Sequence, residues 1–268
     1  MILFPSAKIN LGLRVTTKRN DGFHNIESFL YPIPLRDVLE FRESAVCQLR
    51  IYGKPIPGKL SENLLCKTWE LLKKHYDIPP LEVHLLKGIP AGSGLGGGSS
   101  DAAFFLKRLN DSFQLKITDE KLMDLAAQLG SDCSFFIQNT PALVSGKGEI
   151  TETRRLDLSG LCLVLVVPGV HLSTGHIFSM IKPGIPELSI SEIIKLPITR
   201  WQNLLHNDFE EIVFIRYPIL AKLKQELINR GALYASMTGT GSALYGLFET
   251  KPEINNFAKY GITYQYRL

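Results

Sequence analysis

A glycine-rich segment between a predicted strand and a predicted helix constrains this chain more than any other feature. Five of the seven residues in Gly92–Gly98 are glycine. Apolar residues alternate along Leu81–Leu86 and predict a strand before the segment, and an apolar helix is predicted to begin near Ser99 or Ser100. Glycine lets a ligand approach the backbone closely, and a helix start offers free N–H groups at the positive end of its dipole. The segment therefore predicts a cradle for phosphate groups.

Three interpretations of this segment compete. A flexible linker would not need the strand and the helix on either side. Gly92, Gly94 and Gly97 satisfy the G-x-G-x-x-G pattern of dinucleotide-binding folds, which also needs an acidic residue about twenty positions later, after a second strand. Asp111 has that spacing, but no predicted strand leads into it. The third interpretation is a nucleoside triphosphate loop. No Walker-type lysine follows the glycines, so that if the loop binds ATP, the lysine must come from elsewhere in the chain.

The rest of the chain alternates between strand-like and helix-like patterns. Apolar alternation or short apolar runs predict strands at Ala7–Thr16, Ala142–Val144, Leu161–Val167, Leu233–Met237, Ala243–Phe248 and near Thr263–Arg267. Helical spacing and capping residues predict helices at Asn63–His75, from the N-cap Thr118 to Gly130, at Tyr217–Arg230 and near Pro252–Lys259. Because strands and helices are mixed without strict βαβ repetition, the pattern favours an α+β fold.

Composition excludes several classes of protein. The chain has 268 residues and a net charge of +4, with no long run of basic residues, which argues against a nucleic-acid partner. Its four cysteines lie far apart without zinc or CxxC spacing, as expected for reduced thiols. The longest strongly apolar run, Leu161–Val167, is too short to cross a membrane, and no secretory leader is recognisable. These features predict a cytoplasmic protein that does not associate with membranes.

Segments at four places along the chain resemble the GHMP kinases (galactokinase, homoserine, mevalonate and phosphomevalonate kinases). In the family's order, they are Pro5–Leu13 with its continuation Arg19–Ser28, Pro90–Ala103, Gly130–Phe136 and Met237–Ala243. The triple glycine before Ser99, and the Asp21–His24 segment, resemble the branch of the family that phosphorylates a cytidine diphosphate sugar-alcohol in the non-mevalonate route to isoprenoid precursors. Another small-molecule kinase of the family, such as homoserine kinase, is the nearest alternative.

The resemblance implies a role for each matching residue. The ATP phosphates are expected at Pro90, Ala91, Gly92, Ser93, Gly94, Leu95, Gly96, Gly97, Gly98, Ser99 and Ser100. The expected catalytic residues are Lys8, which would stabilise charge, and Asp132, which would take the proton of the alcohol. Substrate contacts are expected from Asn10, Phe23, His24, Thr174 and Phe178. Without the resemblance, Lys8 would be interpreted as a solvated strand residue, Asp132 as a loop carboxylate and Phe23 as a core aromatic residue.

The resemblance also implies a two-domain GHMP kinase fold. Residues 1–152 would form an ATP-binding N-terminal domain like domain 2 of ribosomal protein S5, and residues 153–268 a ferredoxin-like C-terminal domain. ATP would be the co-substrate and would bring Mg²⁺ with it, and no residue is assigned as a metal ligand. The sequence departs from the usual family pattern at Phe23, Ser93 and Cys133-Ser134. A dinucleotide-dependent reductase and a non-catalytic nucleotide-binding module are the rivals from other functional classes.

Overall fold

The structure is a computed structural model, and it describes residues 2–184 and 187–268. The chain forms two compact units whose segments interleave along the sequence. Among the described residues, the first unit contains 2–8, Pro32–Ala91 and Gly96–Thr140, and the second contains Ile9–Tyr31, Gly92–Leu95, 141–184 and 187–268. The division into sequence domains at residue 152 stays a prediction, and that residue lies within a short strand.

The described residues form strands of 2 to 13 residues and α-helices of 4 to 16 residues. The strands are β1 Ile2–Leu3, β2 Ser6–Lys18, β3 His24–Arg36, β4 Val38–Glu43, β5 Gln48–Gly53, β6 Leu81–Lys87, β7 Ala142–Ser145, β8 Ile150–Thr153, β9 Cys162–Pro168, β10 Tyr234–Met237, β11 Leu244–Phe248 and β12 Gly261–Arg267. The α-helices are α1 Leu64–Lys73, α2 Gly97–Ser112, α3 Asp119–Leu129, α4 Cys133–Gln138, α5 Thr174–Met180, α6 Ile190–Ile193, α7 Trp201–Leu204, α8 Phe209–Arg216 and α9 Pro218–Asn229.

The first unit contains a four-stranded sheet and helices α1 to α4. The strand order is β1-β4-β6-β5, in which β5 and β6 are parallel and the other pairs are antiparallel. Phe41 of β4 packs edge-on against Phe105 of α2, with 5.3 Å between the ring centroids, and both rings are buried. Strand β6 leads into the glycine segment and α2 leaves it, so that both flanks of the segment belong to this core.

The second unit contains a four-stranded antiparallel sheet in the order β10-β11-β9-β12. Every residue of β9 is buried, because the strand has a neighbour on each side and helices cover the sheet. Val164 and Val166 of β9 belong to one hydrophobic cluster with Phe209 of α8 and Leu223 of α9. Strands β2, β3, β7 and β8 form a further sheet in the order β2-β3-β7-β8.

Most of the elements predicted from apolar spacing are confirmed, and the mixture of helices with largely antiparallel sheets confirms the α+β class. The helix predicted near Pro252–Lys259 is wrong, because only a 3-10 turn forms at Asn255–Phe257. Two consecutive asparagines bond easily to the local backbone and favour a turn over a helix there. Helix α2 begins at Gly97, earlier than the sequence predicts. Among the described residues, no helix combines the length and the hydrophobicity needed to cross a membrane.

Candidate active site

The glycine segment has an unusual backbone between β6 and α2. Gly92, Gly94 and Gly96 have φ angles of +66°, +79° and +73°, and the residues between them, Ser93 and Leu95, are buried. Positive φ at alternate residues is typical of loops whose N–H groups form a concave anion site. The buried side chains of Ser93 and Leu95 anchor this loop while its glycines leave the backbone accessible.

Two of these glycines are required because neighbouring atoms leave no room for a side chain. A β-carbon at Gly94 would lie 2.1 Å from the carbonyl oxygen of Thr238, which belongs to the same unit. A β-carbon at Gly96 would lie 2.9 Å from the ring of Phe136 and 3.2 Å from Cε of Lys8. The glycine segment therefore passes directly beside the Lys8 side chain.

The first turn of α2 presents the N–H groups that the phosphate prediction needs. Gly96 is the N-cap residue in a left-handed conformation, and the N–H of Ser100 donates to the Gly96 carbonyl at 2.9 Å. The N–H groups of Gly97, Gly98 and Ser99 therefore precede the hydrogen-bond ladder of the helix. The hydroxyl of Ser100 is buried and has no hydrogen-bond partner among the described residues. This turn can hold an anion, and it offers one unsatisfied hydroxyl.

Lys8 and Asp132, which are 124 positions apart along the chain, lie together in the first unit. The Lys8 ammonium nitrogen is 3.3 Å from Oδ2 of Asp132. The Lys8 side chain is almost completely buried, whereas the Asp132 side chain is 33% exposed. Asp132 is the N-cap residue of α4, and its carboxylate makes no capping hydrogen bond to the described residues of that helix. The carboxylate is accessible enough to accept a proton from an alcohol, beside an ammonium group that can stabilise phosphoryl charge.

Cys133 and Ser134, where the sequence departs from the usual family pattern, are both buried. Burial raises the pKa of the Cys133 thiol to about 12, and the charge of Asp132 acts in the same direction. The hydroxyl of Ser134 donates to the carbonyl of Met123 at 3.1 Å. Both side chains therefore fix the start of α4 without adding a reactive group beside Asp132.

Asn10 lies in a buried hydrogen-bond network of the second unit. Its Nδ2 donates to the Ser28 hydroxyl at 2.8 Å, and its Oδ1 accepts from the N–H of Gly239 at 2.9 Å. The Thr238 hydroxyl lies 3.1 Å from Asn10 Oδ1 and 3.1 Å from the Gly94 carbonyl oxygen, and it can donate to either. In this structure Asn10 fixes the C-terminal glycine motif, and its contact with substrate stays a prediction.

The predicted aromatic contacts also belong to the second unit. The His24 ring stacks on Phe178 of α5, with centroids 5.6 Å apart and planes 29° apart. Phe23 is 56% exposed, and the Lys147 ammonium lies 5.0 Å from its ring centroid. The hydroxyl of Thr174 is 3.1 Å from that of Thr240 in the C-terminal glycine motif. The structure thus brings His24 and Phe178 together, and it leaves Phe23 more than half exposed with the Lys147 ammonium over its ring.

Sequence reasoning missed three charged residues beside the glycine segment. Lys87 pairs with Asp37 and, at 2.8 Å, with Asp101, and all three side chains are buried. Burial raises the pKa of Asp101 well above its usual range, while the Lys87 ammonium opposes that effect. The signal in the sequence was a lysine at the end of an apolar strand, which by itself indicates only a solvated strand end.

This chain is similar in sequence to known proteins of one family. The family model described as "GHMP kinases N terminal domain" matches residues 63–147, and that of "GHMP kinases C terminal" matches residues 189–263. A 4-diphosphocytidyl-2-C-methyl-D-erythritol kinase of Bacteroides fragilis is 48% identical over 95% of this chain and 94% of its own. The enzyme of that name from Parabacteroides distasonis is 49% identical over 93% and 92%.

Solved structures show the same relationship. The crystal structure of a 4-(cytidine 5'-diphospho)-2C-methyl-D-erythritol kinase aligns with a TM-score of 0.83 and 26% identity, over 99% of this chain and 98% of that one. A homoserine kinase from Cytophaga hutchinsonii aligns with a TM-score of 0.65 and 14% identity, over 97% and 93%, and shares the fold alone. The chain therefore belongs to the GHMP kinases and has their two-domain fold, with ATP as co-substrate. Within that family it groups with the 4-diphosphocytidyl-2-C-methyl-D-erythritol kinases.

Proposed function

We propose that this chain transfers the γ-phosphoryl group of ATP to the 2-hydroxyl of 4-diphosphocytidyl-2-C-methyl-D-erythritol, a step in isoprenoid precursor synthesis. The observation that carries the mechanism is the Lys8–Asp132 pair, 3.3 Å apart, with the Lys8 stem against Gly96 of the phosphate loop. The relatives named above support the choice of substrate.

The reaction is a direct in-line displacement. The Asp132 carboxylate accepts the proton of the alcohol as the alcohol oxygen bonds to the γ-phosphorus, and the bond from that phosphorus to the β,γ-bridging oxygen breaks to release ADP. The Lys8 ammonium stabilises the negative charge on the transferred group. The N–H groups of Gly97, Gly98 and Ser99 hold phosphate oxygens of ATP.

A magnesium ion fits one feature of this site. The Ser100 hydroxyl is buried, lacks a partner in the described part of the chain and lies in the first turn of α2, where the phosphates are proposed to bind. Mg²⁺ prefers oxygen ligands and is usually held by few protein groups together with substrate phosphates. Ser100 would supply such a ligand, and the ion would neutralise charge on the phosphate oxygens.

The cytidine part of the substrate is proposed to bind to residues of the second unit. The exposed ring of Phe23 offers a stacking face for a base, and phenylalanine keeps that face where the family usually has tyrosine. His24, Phe178, Thr174 and Asn10 would complete this region. We further propose that the enzyme acts in the cytoplasm and that the chain divides into domains near residue 152.

The test is ADP release with three alcohols under identical conditions: the cytidylated methylerythritol, homoserine and mevalonate. We expect turnover with the first at a kcat/KM at least about 10³-fold above the other two, because a site built to hydrogen-bond polar groups rejects substrates that lack them. Turnover of homoserine alone would refute the substrate assignment and keep the family chemistry. ATP binding without turnover of any alcohol would favour a non-catalytic nucleotide-binding protein.

A further inference from the structure

Three buried charged side chains of the first unit meet where strand β6 ends and helix α2 begins. Asp37 lies between β3 and β4, Lys87 is the last residue of β6, and Asp101 lies in the N-terminal part of α2. Their side chains are 0%, 2% and 3% exposed, respectively. Burying three charges is costly unless each has a well-placed partner, so that their position at both ends of one loop needs a reason.

The contacts of Asp37 fix the end of β6, where the chain enters the loop. Oδ1 of Asp37 accepts hydrogen bonds from the N–H groups of Gly88 at 2.6 Å and Ile89 at 2.8 Å. The other oxygen of Asp37 accepts from the Lys87 ammonium. The N–H of Asp37 itself donates to the carbonyl of Pro5 at 2.9 Å. Asp37 therefore holds three consecutive residues at the point where β6 ends.

The contacts of Lys87 fix the start of α2, where the chain leaves the loop. The Lys87 ammonium donates to Oδ2 of Asp101 at 2.8 Å. A β-carbon at Gly97, the first residue of α2, would lie 3.1 Å from the Lys87 nitrogen and 2.8 Å from Cγ2 of Ile89. The first turn of α2 thus rests directly on the residues that Asp37 holds. One ammonium group connects the end of the strand with the start of the helix.

This arrangement differs from a lysine that binds phosphate. The Lys87 side chain is almost completely buried, and two carboxylates share its ammonium group, so that it is not directed at a ligand in solvent. An apolar core at this place could be equally stable, whereas hydrogen-bonded ion pairs fix distance and direction. The network is thus suited to set the spacing of backbone groups that must fit a phosphate chain.

We propose that Asp37, Lys87 and Asp101 are positioning residues that hold the two ends of the phosphate loop at the spacing required by ATP. The inference rests on the proposed function, in which the loop binds ATP. Beyond that function, the inference names the buried residues that determine the conformation of the loop. The inference predicts that loss of the Lys87–Asp101 interaction weakens nucleotide binding more than it weakens binding of the alcohol substrate.

The test removes the hydrogen bond between Lys87 and Asp101, which connects the network with helix α2. Asp101→Ala removes one carboxylate and leaves Lys87 paired with Asp37, so that no buried charge loses all its partners. Asp101→Asn keeps an oxygen that can accept from Lys87 and serves as the conservative variant. A double variant, Lys87→Met with Asp101→Asn, cuts the connection while it removes one charge of each sign. Leu109→Ala, in the same helix about 12 Å further along, is the matched destabilised control.

The measurements are the Kd of a non-hydrolysable ATP analogue with Mg²⁺ by calorimetry, the KM of each substrate, and the melting temperature. We expect Asp101→Ala and the double variant to raise the Kd of the analogue by about tenfold, since small displacements of a binding geometry are costly. The KM of the alcohol should change less than about twofold, and Asp101→Asn should stay within about threefold of the parent Kd. Leu109→Ala should lower the melting temperature without raising the Kd.

Several results would overturn the inference. Parent-like affinity for the analogue in both Asp101→Ala and the double variant would show a purely structural network, whatever the loss in melting temperature. An equal rise in Kd for Leu109→Ala would show that general loosening of α2 is sufficient. Absence of analogue binding by the parent chain would overturn the proposed function together with this inference, so that the two failures are distinguishable.

Discussion

Replacing Asp132 with asparagine tests the proposed chemistry with little change in shape. Asparagine keeps the size of the side chain and is a good N-cap residue for α4, but it cannot accept the proton of the alcohol. We expect kcat to fall by about 10²–10⁴, the range that a positioned general base contributes. The KM values for ATP and for the alcohol should stay within about threefold, because the lost interaction acts mainly in the transition state.

The unequal burial of the Lys8–Asp132 pair predicts unequal effects on stability. Asp132→Asn keeps an oxygen that can accept from the nearly buried Lys8 ammonium but removes the negative charge beside it. It should lower the free energy of unfolding by about 1–3 kcal/mol, the cost of leaving a buried polar group poorly satisfied. The cost stays below that of breaking a fully buried pair, because water reaches one side of Asp132. Lys8→Met removes the buried charge itself and should stay within about 1 kcal/mol of the parent. Both variants should lose activity.

The assay is the initial rate of ADP release with the cytidylated substrate, paired with urea denaturation of each variant. Asp124→Asn, in which a 71% exposed carboxylate of the same unit is neutralised, controls for loss of charge alone. A kcat for Asp132→Asn within about tenfold of the parent would refute the general-base role. A larger loss of stability in Lys8→Met than in Asp132→Asn would refute the reasoning from burial.

Three further predictions concern single side chains. Phe23→Ala should raise the KM of the cytidylated substrate by about 5–100-fold without changing the KM of ATP, because stacking on a base is worth about 1–3 kcal/mol; an equal rise in both values would contradict it. Ser100→Ala should raise the Mg²⁺ concentration for half-maximal rate by about 3–10-fold at fixed ATP, and an unchanged requirement would remove Ser100 from the metal site. At pH 8 iodoacetamide should modify the exposed Cys47 well before Cys133, as peptide mass mapping would show. The raised pKa of Cys133 leaves a thiolate fraction of only about 10⁻⁴ at that pH.

Periodic elements can be predicted from the sequence because their signals are local. Strand β6 has alternating apolar residues, and α3 is preceded by the N-cap Thr118, whose hydroxyl accepts from the N–H of Lys121. Both elements are therefore predicted correctly. The start of α2 is predicted too late because glycine has a low helix propensity, whereas Gly97 and Gly98 are helical in the folded chain. What favours the earlier start is tertiary contact, since Gly97 packs on Ile89 where no larger residue would fit.

The candidate site is predicted by family resemblance more than by physical reasoning. Nothing in the spacing of Lys8 and Asp132 indicates that they meet, and only the order of the motifs relates them in the sequence. Lys87 escapes prediction because its partner Asp37 is 50 positions away, and burial of a strand-end lysine depends wholly on that partner. Asn10 is predicted as a substrate contact, and no local pattern indicates that its amide oxygen also accepts from the N–H of Gly239.

The buried residues around the glycine segment explain how so many glycines can take one defined conformation, as the proposed anion site requires. Glycine loses more conformational freedom on folding than any other residue, so that an unsupported glycine loop would not hold its N–H groups in place. In this chain the buried side chains of Ser93 and Leu95 fix the middle of the loop, the Thr238 carbonyl packs against Gly94, and the Lys87 network fixes both flanks. Each of these supporting residues is buried. On the proposed function, affinity for phosphate also depends on the buried side chains of Asp37, Lys87 and Asp101, because they help to determine whether the loop backbone is already in position.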